Sequence, residues 1–207
     1  MVGRSALPAA VLALAVLCLP GPRADDLPED PLPVGARAPD FTIPTLEGGE
    51  VKLSSWQGHV VVLNYFITWY RDAARHLGLM EQLATRYSPR GVRMLSISLD
   101  EGDVGRDATR TFVAEHEIAH AVAADPQQQV SGTYGVRALP AIFVIGADGK
   151  IAAYHEGYME GDDERIESII VSALDTQTSE VSGTETGEEE DAGDEEPVCN
   201  CFKQKDE

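Results

Sequence analysis

Two stretches of the chain carry residue types and spacings that can do chemistry by themselves. His116-Glu117-Ile118-Ala119-His120 matches H-E-x-x-H. On a helix that spacing puts two imidazoles on one face for zinc, with the glutamate as base. The longer metalloprotease pattern does not follow, because Ala123 stands where a glycine is needed. No metal site is therefore expected, and both histidines are read as surface residues. Cys199-Asn200-Cys201 is the second stretch. Such a pair can form an inert disulfide, join two chains, bind a soft metal through thiolates, or cycle as a redox couple. The only other cysteine is Cys18, so the three are too few for a disulfide scaffold. No glycine-rich phosphate loop is present and no Ser-His-Asp order is suggested, so no cofactor is expected.

The ends of the chain place the cysteines. Residues 1–24 read as a signal peptide, with Arg4, an apolar run from Ala6 to Leu19, and small residues at Gly21 and Ala24. The run is shorter than the ~20 residues that span a bilayer. Membrane attachment is expected only if this segment stays uncleaved, and Leu17 is too large to precede a lipidated Cys18. Residues 25–33 form a Pro-rich, extended leader. Residues 175–207 hold 12 acidic residues against two lysines and end in the Cys-x-Cys pair. They read as an acidic disordered tail, suited to solubility, ion buffering or partner recognition. Sixteen basic against 35 acidic residues give a net charge of −19, which argues against nucleic-acid binding. The predicted location is extracytoplasmic, in a periplasm or secreted.

Between these ends the pattern alternates. Phe41–Pro44 and Val51–Leu53 flank Gly48-Gly49 and predict a hairpin. Val60–Phe66, Val92–Leu99 and Ala141–Ile145 are runs suited to strands buried on both faces, with Ala121–Ala124 a weaker strand. Leu77, Met80, Leu83 and Ala84 fall at helical spacing, Thr109–Glu117 reads as a short helix, and Lys150–Tyr154 closes a second hairpin. The stripe Ile166, Ile169, Ile170, Ala173, Leu174 marks a last helix ending near Leu174. The expected fold is α/β: a central mixed β-sheet flanked by helices, with an N-terminal β-hairpin, over residues 34–174.

Several motifs in order carry a resemblance. These are Val34–Phe41, Leu53–Gly58, Val60–Trp69, Gly91–Asp100, Tyr134–Pro140 and Asp148–Ile151. Together they resemble the TlpA/ResA-type thioredoxin-like oxidoreductases of the redoxin and peroxiredoxin superfamily. The resemblance implies a thioredoxin-like sandwich and a Trp-Cys-x-x-Cys motif after the first long strand. A thiol at a helix N-terminus would there attack as thiolate and its neighbour resolve the disulfide. The chain instead reads Thr68-Trp69-Tyr70-Arg71-Asp72-Ala73. By the resemblance Trp69 is kept, Tyr70 and Ala73 take the cysteine positions, and Arg71 takes that of a peroxiredoxin cysteine.

Pro140 matches the family's cis-proline, which either holds an extended substrate segment by its backbone or is simply a turn that the fold needs whatever the function. Tyr70 is read as filling space over Pro140, because phenols ionise about three units above neutrality. Asp72 is read as complementing the helix dipole. The expectation is an exported, redox-silent binding or scaffold module whose partner is an extracytoplasmic protein or peptide near Pro140. Two alternatives stand beside it: a thiol–disulfide oxidoreductase using Cys199 and Cys201, and an acidic ion-buffering protein. In the first, Arg71 and Arg75 would draw the acidic tail toward Tyr70.

Overall fold

The structure, a computed structural model, describes Pro28 and residues 30–182. The expected signal segment, most of the leader before Asp30, and the stretch from 183 with Cys199 and Cys201 lie outside the described residues. A small antiparallel hairpin comes first, β1 (Thr42–Pro44) with β2 (Glu50–Lys52), in which Ile43 pairs with Val51. The main sheet contains β3 (Val60–Phe66), β4 (Val92–Ser98), β5 (Ala121–Ala124), β6 (Ala141–Ile145) and β7 (Ile151–Glu156). Its order is β5-β4-β3-β6-β7, parallel across β5-β4-β3 and antiparallel across β3-β6-β7. Helices α1 (Ala73–Tyr87), α2 (Gly102–Glu115), α3 (Gln129–Thr133) and α4 (Asp162–Ser182) complete the fold. It is the thioredoxin-like α/β sandwich that the sequence predicts.

Every residue of β3 is buried, as a central strand covered on both faces requires. Alternation sorts its side chains. Val61, Leu63 and Tyr65 join Leu95, Ile97, Phe143 and the hairpin's Ile43 and Val51 on one face. Val60 and Val62 pack against Met80 and Leu83 of α1 and Ile166, Ile170 and Leu174 of α4 on the other. Each fully buried aliphatic side chain contributes about 1.5–3 kcal/mol of transfer free energy, so the two layers supply the main favourable term that holds the sheet.

Two helices differ from their sequence pattern. Helix α2 starts at Gly102 rather than Thr109. A Cβ on Gly105 would lie 2.6 Å from the Asp100 carbonyl carbon, so only glycine lets this helix start against Asp100. Helix α4 continues past Leu174 to Ser182. Gln177 donates to the Gly58 carbonyl at 2.8 Å, anchoring the extra turns beside the start of β3. Removal of residues 175–207 therefore leaves cooperative unfolding intact but lowers stability by about 1 kcal/mol for that hydrogen bond. Denaturant melts of the full and shortened chains measure the difference, and loss of the cooperative transition would show that these residues complete the core.

Candidate functional site

The loop between β3 and α1 (67–72) and the turn before β6 meet at one end of the sheet. Register requires it: Tyr65 pairs with Ala141 in antiparallel strands, which puts Pro140 beside the exit of β3. The Leu139–Pro140 bond is cis, Pro140 is buried, and its carbonyl accepts from Gly157 N–H at 2.8 Å. Ala73 is the first residue of α1 and is buried, and its N–H donates to the Tyr70 carbonyl at 3.0 Å. Tyr70 is half-buried, whereas Trp69 is 78% exposed. Asp72 stands at the cap position without a capping bond from its side chain, and pairs with Arg71 at 3.5 Å. Arg75 lies 3.6 Å from Asp163 and over the Tyr158 ring. Both arginines that were expected to draw in the tail are thus already matched by carboxylates.

A buried carboxylate pins the loop from beneath. Asp100 accepts from Thr68 N–H at 3.0 Å and from the Ser98 hydroxyl at 2.8 Å, and the Thr109 hydroxyl is 3.2 Å away. On the other flank the connection from β7 to α4 is held by its own bonds, Tyr158 donating to Asp163 at 2.6 Å and Met159 N–H to Asp162 at 2.7 Å, and it meets the first turn of α1 through Arg75. Burial, with Asp163 beside it, pushes the Tyr158 phenol up to about 12.

Behind the loop a polar chain crosses the core. His76 Nε2 lies 2.6 Å from Asn64 Oδ1, Asn64 donates to Ser96 at 3.0 Å, Ser96 meets His120 Nε2 at 2.8 Å, and His120 Nδ1 meets Glu81 at 2.7 Å. With neutral imidazoles, a carboxylate at one end and an amide oxygen at the other give the chain one direction. His120 donates to Glu81, so its Nε2 must accept from Ser96; Ser96 accepts from Asn64, and His76 donates to Asn64. Burial favours that neutral form in both rings. Burial pushes His120 down despite the Glu81 carboxylate, and it pushes His76 down to about 4, with His155 adding to the effect. Burial alone would raise Glu81, but the N–H groups of His120 and Ala119 and the imidazole hold its carboxyl low.

The H-E-x-x-H residues do not share a helical face. Helix α2 stops at Glu115, and Glu117 adopts φ 52°. His116 is exposed and stacks on Phe112 with ring centroids 4.2 Å apart. His120 does not match the surface reading: its side chain is 5% exposed because it enters the polar chain. Sequence reasoning missed Asn64, His76, Ser96 and Asp100. The available signal was a polar residue at an inward position of an otherwise apolar strand or stripe.

A mixed sheet with a helix N-terminus facing a cis-proline defines a thioredoxin-fold protein of the disulfide-oxidoreductase type. The chain belongs to the AhpC/TSA family, whose pattern matches residues 34–154. It is similar to thiol-disulfide oxidoreductase ResA of Bacillus thuringiensis (strain Al Hakam), 33% identical over 59% of this chain and 69% of the relative. It is also similar to ResA of Geobacillus thermodenitrificans (strain NG80-2), 33% identical over 66% of this chain and 78% of that one. Among solved structures, one from Chlorobium tepidum assigned as the thiol:disulfide interchange protein DsbE superposes with a TM-score of 0.64. It is 32% identical and covers 69% of this chain and 99% of its own.

The neutral His76 makes stability depend on pH. Its folded-state value of about 4 lies below the ordinary 6.5, so between these pH values the unfolded chain takes up a proton that the folded one refuses. Stability is full above pH 6.5 and falls by about 3 kcal/mol on acidification to pH 4. Denaturant midpoints across that range check this. In His76→Gln, which keeps a donor toward Asn64, the slope flattens.

Proposed function

We propose that this chain is an exported thioredoxin-fold protein that holds an extended protein segment beside Pro140 and performs no thiol chemistry at α1. One observation carries the reading: the segment 67–73, which leads into α1, contains no cysteine, and Tyr70 and Ala73 stand three residues apart at its helix start. The bound segment would use the surface around Trp69 and Pro140, while the thiolate that drives disulfide exchange has no counterpart there. The signal-like residues 1–24 support export to an extracytoplasmic compartment.

An insulin-reduction assay tests the reading. The mature chain is expected to reduce nothing, and Cys199→Ser with Cys201→Ser is expected to change nothing. Introducing Tyr70→Cys with Ala73→Cys should create disulfide reductase activity, with the first thiol ionising below the ordinary value of about 8.5, because the helix N-terminus favours thiolate. Activity of the unmodified chain that disappears with Cys199→Ser and Cys201→Ser would replace this reading with a working oxidoreductase.

A further inference from the structure

The end of the sheet that carries Pro140 also gathers the molecule's exposed apolar side chains. Of the four large apolar side chains that are exposed among the described residues, three are here: Val104 at 84%, Trp69 at 78% and Met159 at 74%. Val104 follows β4, Trp69 follows β3, and Met159 follows β7, while Pro140 precedes β6. The four strands are adjacent in the sheet, so these residues form a row across three strand spacings, about 15 Å. Hydrogen bonds hold these segments in place: Thr68 to Asp100 joins the loops after β3 and β4, Gly157 to Pro140 joins the end of β7 to the turn before β6, and Met159 to Asp162 fixes the turn into α4. An apolar row held this firmly in water is the mark of a contact surface.

Charge selects the occupant. The segments 67–76, 99–106, 137–141 and 156–163 hold eight carboxylates and four arginines. Arg71 and Arg75 are matched by Asp72 and Asp163, Arg137 donates to the Pro28 carbonyl at 3.0 Å, and Arg106 is half-buried. Glu101, Asp103 and Glu160 flank the row, exposed and without a cation partner among the described residues. The rim is therefore negative. The acidic stretch beyond Leu174 is a poor occupant on two counts: its charge repels the rim, and α4 carries the chain away to Gly58 at the opposite end of β3.

Resting on the proposed function, we infer that the segment bound beside Pro140 is basic: an extended stretch of a partner protein in which lysine or arginine alternates with apolar side chains. Its apolar residues sit between Trp69 and Met159, and its cations lie against Glu101, Asp103 and Glu160. A row of about 15 Å takes four to five extended residues at about 3.3 Å each.

The test uses the mature chain and three blocked seven-residue peptides, in which phenylalanine and valine alternate with lysine, glutamate or serine. The readout is the Trp69 indole N–H signal by NMR, assigned with Trp69→Phe. The lysine peptide is expected to shift the signal saturably and to bind at least tenfold more tightly than the glutamate peptide. Added salt should weaken its binding, because exposed charges are screened over about 10 Å at 0.1 M. Glu101→Lys with Asp103→Lys should weaken it about tenfold, each exposed pair being worth up to about fivefold. If the glutamate peptide binds as well, or the double variant binds unchanged, the basic partner is overturned while the binding reading stands. If no peptide moves the Trp69 signal, both fall together.

Discussion

The hydrogen-bonded chain from Glu81 to His76 constrains everything around it. Asn64 and Ser96 are both fully buried and lie directly opposite each other in the parallel register of β3 and β4. A slip of β4 by one residue would turn Ser96 to the other face and leave Asn64 without it, at about 1–3 kcal/mol for each unsatisfied group. Apolar packing discriminates weakly among registers of two strands buried on both faces. The polar chain tolerates one. It also sets the rotation of α1, because His76 must reach Asn64 while Met80 and Leu83 still face Val62.

That rotation presents the first turn of α1 to the loop from Ile67 to Asp72. Asp100 below and the Arg75–Asp163–Tyr158 group beside it then hold the loop and the turn at the end of the sheet where Pro140 lies. The rigidity of this end of the sheet thus owes nothing to sulfur. The buried Nδ1 of His76 is the exception to full satisfaction among these groups. It follows from the chain's direction: once Nε2–H is committed to Asn64, Nδ1 is left as a bare lone pair, and its nearness to His155 and burial keep it unprotonated.

Much of this could be read from residue order. The runs Val60–Phe66 and Ala141–Ile145 announce central strands because continuous branched side chains suit burial on two faces. The stripe from Ile166 to Leu174 announces a packing helix. Leu139-Pro140 marked the turn that meets the helix start. The polar chain was not legible, since no local pattern tells Asn64 that Ser96, 32 residues on, will be its neighbour. That depends on sheet order and register. Helix α2 was misjudged at its start because Gly105 reads locally as a breaker, and only the approach of Asp100 gives it another meaning. His120 looked like a surface residue for the same reason: its partners come from β4 and α1.

The extension of α4 gives the molecule a long axis with unlike poles. Its first turn lies by Met159 and its Gln177 reaches Gly58, where β3 begins. The seven residues of β3 separate these points by about 23 Å. A fluorophore, a fusion or an immobilising bead joined to the chain after Ser182 therefore leaves from the floor of the molecule, with the mouth around Trp69 facing the other way. Handles of this kind can be attached without covering it.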